Sequence, residues 1–77
     1  MYFNIDAIER EINKRGWDRA KFARKAMLSR SYVTKVMNKQ RGGGLDFLEG
    51  LVTAFSDIDI RPFIIFERRG VRERSKN

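Results

Sequence analysis

Apolar residues fall at helical spacing in several stretches of this chain, separated by short polar breaks. Ile5, Ile8 and Ile12 stand at i, i+3 and i+7 and predict a first helix from about Ile5 to Lys14 with one apolar face. Gly16 lies where a C′ residue would end it. Its acids come early and its bases late, as the helix dipole prefers. A short second helix, about Arg19 to Ala26, would bury Phe22, Ala23 and Ala26. A third, from Arg30 to Met37 or Asn38, separates Val33, Val36, Met37 and part of Tyr32 from a polar stripe of Arg30, Ser31, Thr34, Lys35 and Asn38. Three consecutive glycines make 38–44 a loop, because they cannot hold a helix. A fourth helix follows from about Leu45 to Phe55, expected to bury Leu48, Leu51, Val52 and Phe55 with Phe47 partly covered. Past Ser56, Asp59 suits the cap of a fifth helix with Pro62 in its first turn. Ile58, Ile60 and the pair Ile64-Ile65 also suit a strand. The helix is the preferred expectation.

Three of these starts share one device. Phe3-Asn4 precedes Ile8, Trp17-Asp18 precedes Phe22, and Leu28-Ser29 precedes Val33. Each is an apolar residue, a polar N-cap and an apolar residue at the fourth helical position, the pattern of a hydrophobic staple. Three such patterns within thirty residues mark three helix beginnings.

With 77 residues the chain makes one small domain, here residues 1–66, followed by a charged tail, 67–77, expected to be frayed or disordered. It contains no Cys and no His, which removes disulfides, thiolate chemistry, the usual zinc sites and imidazole catalysis. No catalytic residue, metal, cofactor or small-molecule substrate is therefore expected, and an enzyme is the least favoured class. The longest apolar run, Phe63 to Phe66, is far short of the roughly 20 residues of a membrane span, and the acidic start does not resemble a secretory signal. A cytoplasmic protein is expected.

Charge changes the picture more than composition does. Between Arg19 and Arg41 stand eight bases (Arg19, Lys21, Arg24, Lys25, Arg30, Lys35, Lys39, Arg41) and no acid, while residues 1–18 sum to −1 and residues 42–77 to zero, so the net +7 is local. The block is interleaved with apolar residues at helical spacing. It therefore reads as a folded cationic face, and a nucleic-acid backbone is the partner such a face fits.

The second and third helices are joined by three residues, Met27 to Ser29, the connection of a helix-turn-helix. In that motif the second helix enters the major groove and the first lies across the backbone. The polar stripe has suitable chemistry. Arg30 can pair bidentately with guanine, Ser31 and Thr34 can bond a base edge or touch a thymine methyl, and Lys35 can reach guanine or phosphate. Arg19, Ser29, Tyr32, Asn38, Lys39 and Arg41 are candidates for phosphate contacts, with Arg41 also suited to a narrow minor groove. Trp17, Phe22 and Phe47 are expected to pack rather than to stack on bases.

Residues 4–66 resemble the lambda-repressor-like helix-turn-helix family, the Cro and phage-repressor group. Phe22-Ala23-Arg24-Lys25-Ala26-Met27-Leu28-Ser29-Arg30-Ser31-Tyr32-Val33-Thr34-Lys35-Val36 carries the likeness, with small Ala23 where the two helices touch and Leu28, Val33 and Val36 on the apolar positions. The resemblance implies an all-α, compact four- to five-helix domain, with a short C-terminal strand as the alternative to the last helix. It also implies a transcriptional regulator of repressor or Cro type that binds double-stranded operator DNA. Two positions depart from the family. Met27 replaces the usual Gly of the turn, a residue that tends to adopt positive φ, and Arg19 replaces a Gln that braces the first residue of the recognition helix. Opposite Arg30, Arg19 is expected to bind phosphate instead.

Proteins of this type bind as two-fold dimers, and Ile58, Ile60, Phe63, Ile64 and Phe66 are more apolar surface than the core of a small domain needs. They are expected to form a homodimer interface through a fifth helix or a paired C-terminal strand. The rival reading is an antitoxin-like protein whose C-terminal segment neutralises a partner toxin while the same motif represses its own promoter.

Overall fold

The computed structural model describes residues 2–66. Three helices, α1 (Ile5–Lys14), α2 (Arg19–Ala26) and α3 (Arg30–Met37), begin where a side chain accepts an otherwise unpaired amide. Asn4 Oδ1 accepts from Ala7 N–H at 3.1 Å, Asp18 Oδ1 from Lys21 N–H at 2.8 Å, and Ser29 Oγ from Tyr32 N–H at 3.1 Å. Each cap contributes about 1 kcal/mol. All three coincide with the staple patterns, and Gly16 ends α1 at φ 73° as its composition requires.

A fourth helix, α4 (Leu45–Ala54), packs against α2. Its inward face is Phe47, Gly50 and Leu51, with Phe55 just beyond its end also buried. This corrects the expected face: Phe47 is fully buried, Leu48 is only half-buried and Val52 is 51% exposed. The rings decide the rotation. Phe47 stands 4.9 Å edge-on from Phe3 and 6.2 Å from Phe22, while Phe22 and Phe55 stack at 5.5 Å. Trp17 lies parallel to Phe55 at 5.8 Å, so Trp17, Phe22 and Phe47 are packing residues. Arg15 closes the lower end, its guanidinium over the Trp17 and Phe55 rings and bonded to Glu11 at 2.6 Å and Asp57 at 2.8 Å.

No fifth α-helix forms among the described residues. The Asp59 carboxylate accepts the Arg61 N–H at 3.0 Å in a local turn, and Arg61–Phe63 make one 3₁₀ turn containing Pro62. Ile64–Ile65 then form a strand, β2, antiparallel to β1 (Tyr2–Phe3), with Tyr2 opposite Ile65 and Phe3 opposite Ile64. Asn4 N–H continues the pairing to the Phe63 carbonyl at 2.8 Å. The β-branched pair thus follows its strand propensity because the chain start provides a partner. The result is a four-helix domain with a two-stranded clasp tying its ends together. No helix among the described residues is long and apolar enough to cross a membrane. The tail at 67–77 lies outside them.

Candidate nucleic-acid interface

The connection between α2 and α3 is a tight left-handed turn. Met27 adopts φ 60°, ψ 39°, and its N–H and that of Leu28 return to carbonyls of α2, with Leu28 N–H to Ala23 O at 2.9 Å. Positive φ at this position is what the departure from glycine put in question. The backbone keeps the left-handed turn, at a cost of roughly 1–2 kcal/mol for a side-chain-bearing residue. Met27 itself is 83% exposed and fills no space that would offset this. Leu28 packs inward over α4, where Gly50 leaves room for it.

With Val33, Val36 and Met37 buried, α3 turns a polar arc to solvent. At helical spacing the arc runs Arg30, Thr34, Asn38, Ser31, Lys35; Thr34 is half-buried and the others are exposed. Arg30, Lys35, Lys39 and Arg41 form no ion pair with any described residue, so their charge is directed outward. That places the four residues assigned to base reading, Arg30, Ser31, Thr34 and Lys35, on one continuous surface.

Of the residues assigned to phosphate contact, Ser29, Lys39 and Arg41 are exposed at the two ends of α3. Ser29 Oγ also serves as the cap of α3, and Lys39 turns the chain out of the helix at φ 62°. Arg19 and Tyr32 have partners within the domain. Arg19 does not face Arg30: its guanidinium donates to Asn38 Oδ1 at 2.8 Å and to Glu9 at 3.3 Å, so it braces the far end of α3 against α1. Asn38 keeps its amide N–H₂ for other partners. Tyr32 is half-buried, and its hydroxyl donates to Asp46 Oδ1 at 2.6 Å while accepting from Gly44 N–H at 3.3 Å. Partial burial and the bond to Asp46 raise the Tyr32 pKa, while the donated hydrogen bond holds the Asp46 carboxylate below its ordinary range. Asp46 and Glu9 were not singled out by sequence. Their partners lie 14 and 10 residues away, and charge spacing carries no signal at that separation.

The assigned dimer residues divide as well. Phe63 is 5% exposed and packs on Phe55 at 5.3 Å, so it belongs to the domain's own core and cannot meet a second chain. Ile60 and Ile64 are half-buried, Ile58 is exposed and Phe66 is 53% exposed. Ile65 of β2, not among the expected residues, is exposed beside them.

No family model, no curated protein and no solved structure matches the chain.

Proposed function

We propose that the protein is a sequence-specific double-stranded DNA-binding regulator of the lambda-repressor-like, Cro or phage-repressor type, which acts by occupying DNA rather than by chemistry. One observation carries the reading: α3 exposes a polar arc, has at both ends cations that form no ion pair with any described residue, and is joined to α2 by a three-residue connection that turns at left-handed Met27. Such a helix fits the major groove, where Arg30, Ser31, Thr34 and Lys35 meet base edges. Lys39, Arg41 and the Asn38 amide then lie toward the sugar-phosphate backbone. Arg19 supports this face indirectly, through Asn38.

A single recognition helix reads half a site, so a homodimer belongs to the proposal. Its interface is the outer edge of β2 with Ile58, Ile64, Ile65 and Phe66, since β2 pairs on only one side with a described strand. An unpaired apolar edge of this kind accepts an identical strand by two-fold pairing.

Selection from a random duplex pool across a salt series tests the reading. An enriched motif with two half-sites and an affinity that falls steeply with salt is the expected result. A pool that stays random at every salt concentration contradicts it. Preference for a folded RNA, or capture of the C-terminal segment by a toxin without any operator, would favour the other classes.

A further inference from the structure

Between α3 and α4 the chain carries two of the proposed DNA-binding cations, Lys39 and Arg41, immediately before three glycines. A free segment of that composition would present Arg41 in no fixed place. Contacts on its inner side remove the freedom. Gln40 N–H returns to the Lys35 carbonyl at 2.9 Å, and Gly43 sits so near β1 that a Cβ there would lie 2.7 Å from the Phe3 ring. Tyr32, from the first turn of α3, holds the other side. Its hydroxyl joins Asp46 and Gly44, and its ring packs edge-on to Phe47 at 6.1 Å. The Arg41 guanidinium rests 5.1 Å from the centroid of the same ring. Asp46 Oδ1 meanwhile accepts from Phe47 N–H at 2.8 Å, which anchors the strut to the start of α4.

We infer that Tyr32 is a positioning residue for duplex binding: it fixes the Gly-rich segment and sets Arg41 at a defined place relative to the recognition helix. The inference rests on the DNA reading above and assigns a role within it. Tyr32 does not serve as a phosphate ligand. Its only O–H is directed to a carboxylate, a charge-assisted bond that a phosphate oxygen would have to displace. Arg41 gains a ring face that restricts its long side chain while leaving N–H groups free for phosphate or minor groove. Recognition by α3 and anchoring by Arg41 therefore share one rigid body.

A double-mutant cycle on the full chain tests this. Tyr32→Phe and Arg41→Ala should each weaken binding to the selected duplex about three- to tenfold, the range of one net hydrogen bond, and the double variant should lose no more than the worse single one. Strictly multiplying losses, or full affinity in Tyr32→Phe beside a loss in Arg41→Ala, overturns the inference. A second readout needs no DNA. Backbone order parameters at Gly42 to Gly44 should fall in Tyr32→Phe while those of α1 stay unchanged. Unchanged values in that loop contradict the strut even if DNA binding is intact. A wild-type protein that binds no duplex contradicts the underlying DNA reading and, with it, the role given to Arg41.

Discussion

Gly50, in the middle of α4, lies directly beneath Leu28 of the inter-helix turn: a Cβ added at residue 50 would stand 2.7 Å from Leu28 Cδ1 and 3.1 Å from the Ala26 Cβ. The contact sets how closely the helix-turn-helix seats on the rest of the domain. A glycine in a helix interior ordinarily weakens it, so its presence here reflects the close approach. Gly50→Val should therefore destabilise by about 1–3 kcal/mol through overpacking, measured as a lower urea midpoint. An unchanged midpoint would mean that the turn is not seated on α4 as described.

The opposite substitution is expected to help at Met27. Its φ of 60° is costly for a residue with a Cβ, and Met27 is 83% exposed. Met27→Gly should stabilise by about 1 kcal/mol, a rise of roughly 4–8 °C in Tm for a domain this size. A fall in Tm would show that the methionine makes contacts that matter.

Those two residues mark the division between what was legible in the chain and what was not. Asn4, Asp18 and Ser29 announce their helices because capping is local: donor and acceptor are three residues apart. The polar arc of α3 was legible for the same reason, since its periodicity is carried within one helix. The inward face of α4 was not. Leu45, Phe47, Leu48, Leu51 and Val52 spread over nearly half its circumference, and the choice among them falls to Gly50 and to Phe3, which comes from the other end of the chain. The C-terminal strand likewise needs Tyr2-Phe3 as its partner, so propensity alone left helix and strand competing. The contacts of Arg19 with Glu9 and of Tyr32 with Asp46 were not legible either, because those partners meet only through the tertiary fold.

Acid should loosen the domain at a particular corner. Hydrogen bonding to Arg15 holds the Asp57 carboxyl below its ordinary value. A depressed carboxylate contributes stability that is present above the unfolded value, near about 3.9, and disappears as pH falls through the folded one. Asp57→Asn should thus be less stable than wild type at pH 7, and the gap should close as the pH is lowered below about 4. A gap that stays constant with pH would remove the ionic role assigned to the Arg15–Asp57 pair.

Self-association is expected through the β2 edge. Sedimentation at tens of micromolar should show a dimer, and Ile65→Lys, which puts a charge on the exposed side of that strand, should return it to monomer with helix content unchanged. A wild-type monomer both with and without DNA contradicts the interface.

The central claim is that the exposed side of α3 reads bases while its ends grip the backbone. The most direct measurement compares affinity for the selected duplex and for random duplex in Arg30→Ala, Thr34→Ala, Lys35→Ala and Arg41→Ala across a salt series. The first three are expected to cost about 1–3 kcal/mol on the selected duplex wherever a base pair is read, and less on random DNA. Arg41→Ala should weaken both duplexes alike and flatten the salt dependence by about one counterion. Equal losses on selected and random DNA for all four variants would contradict the account.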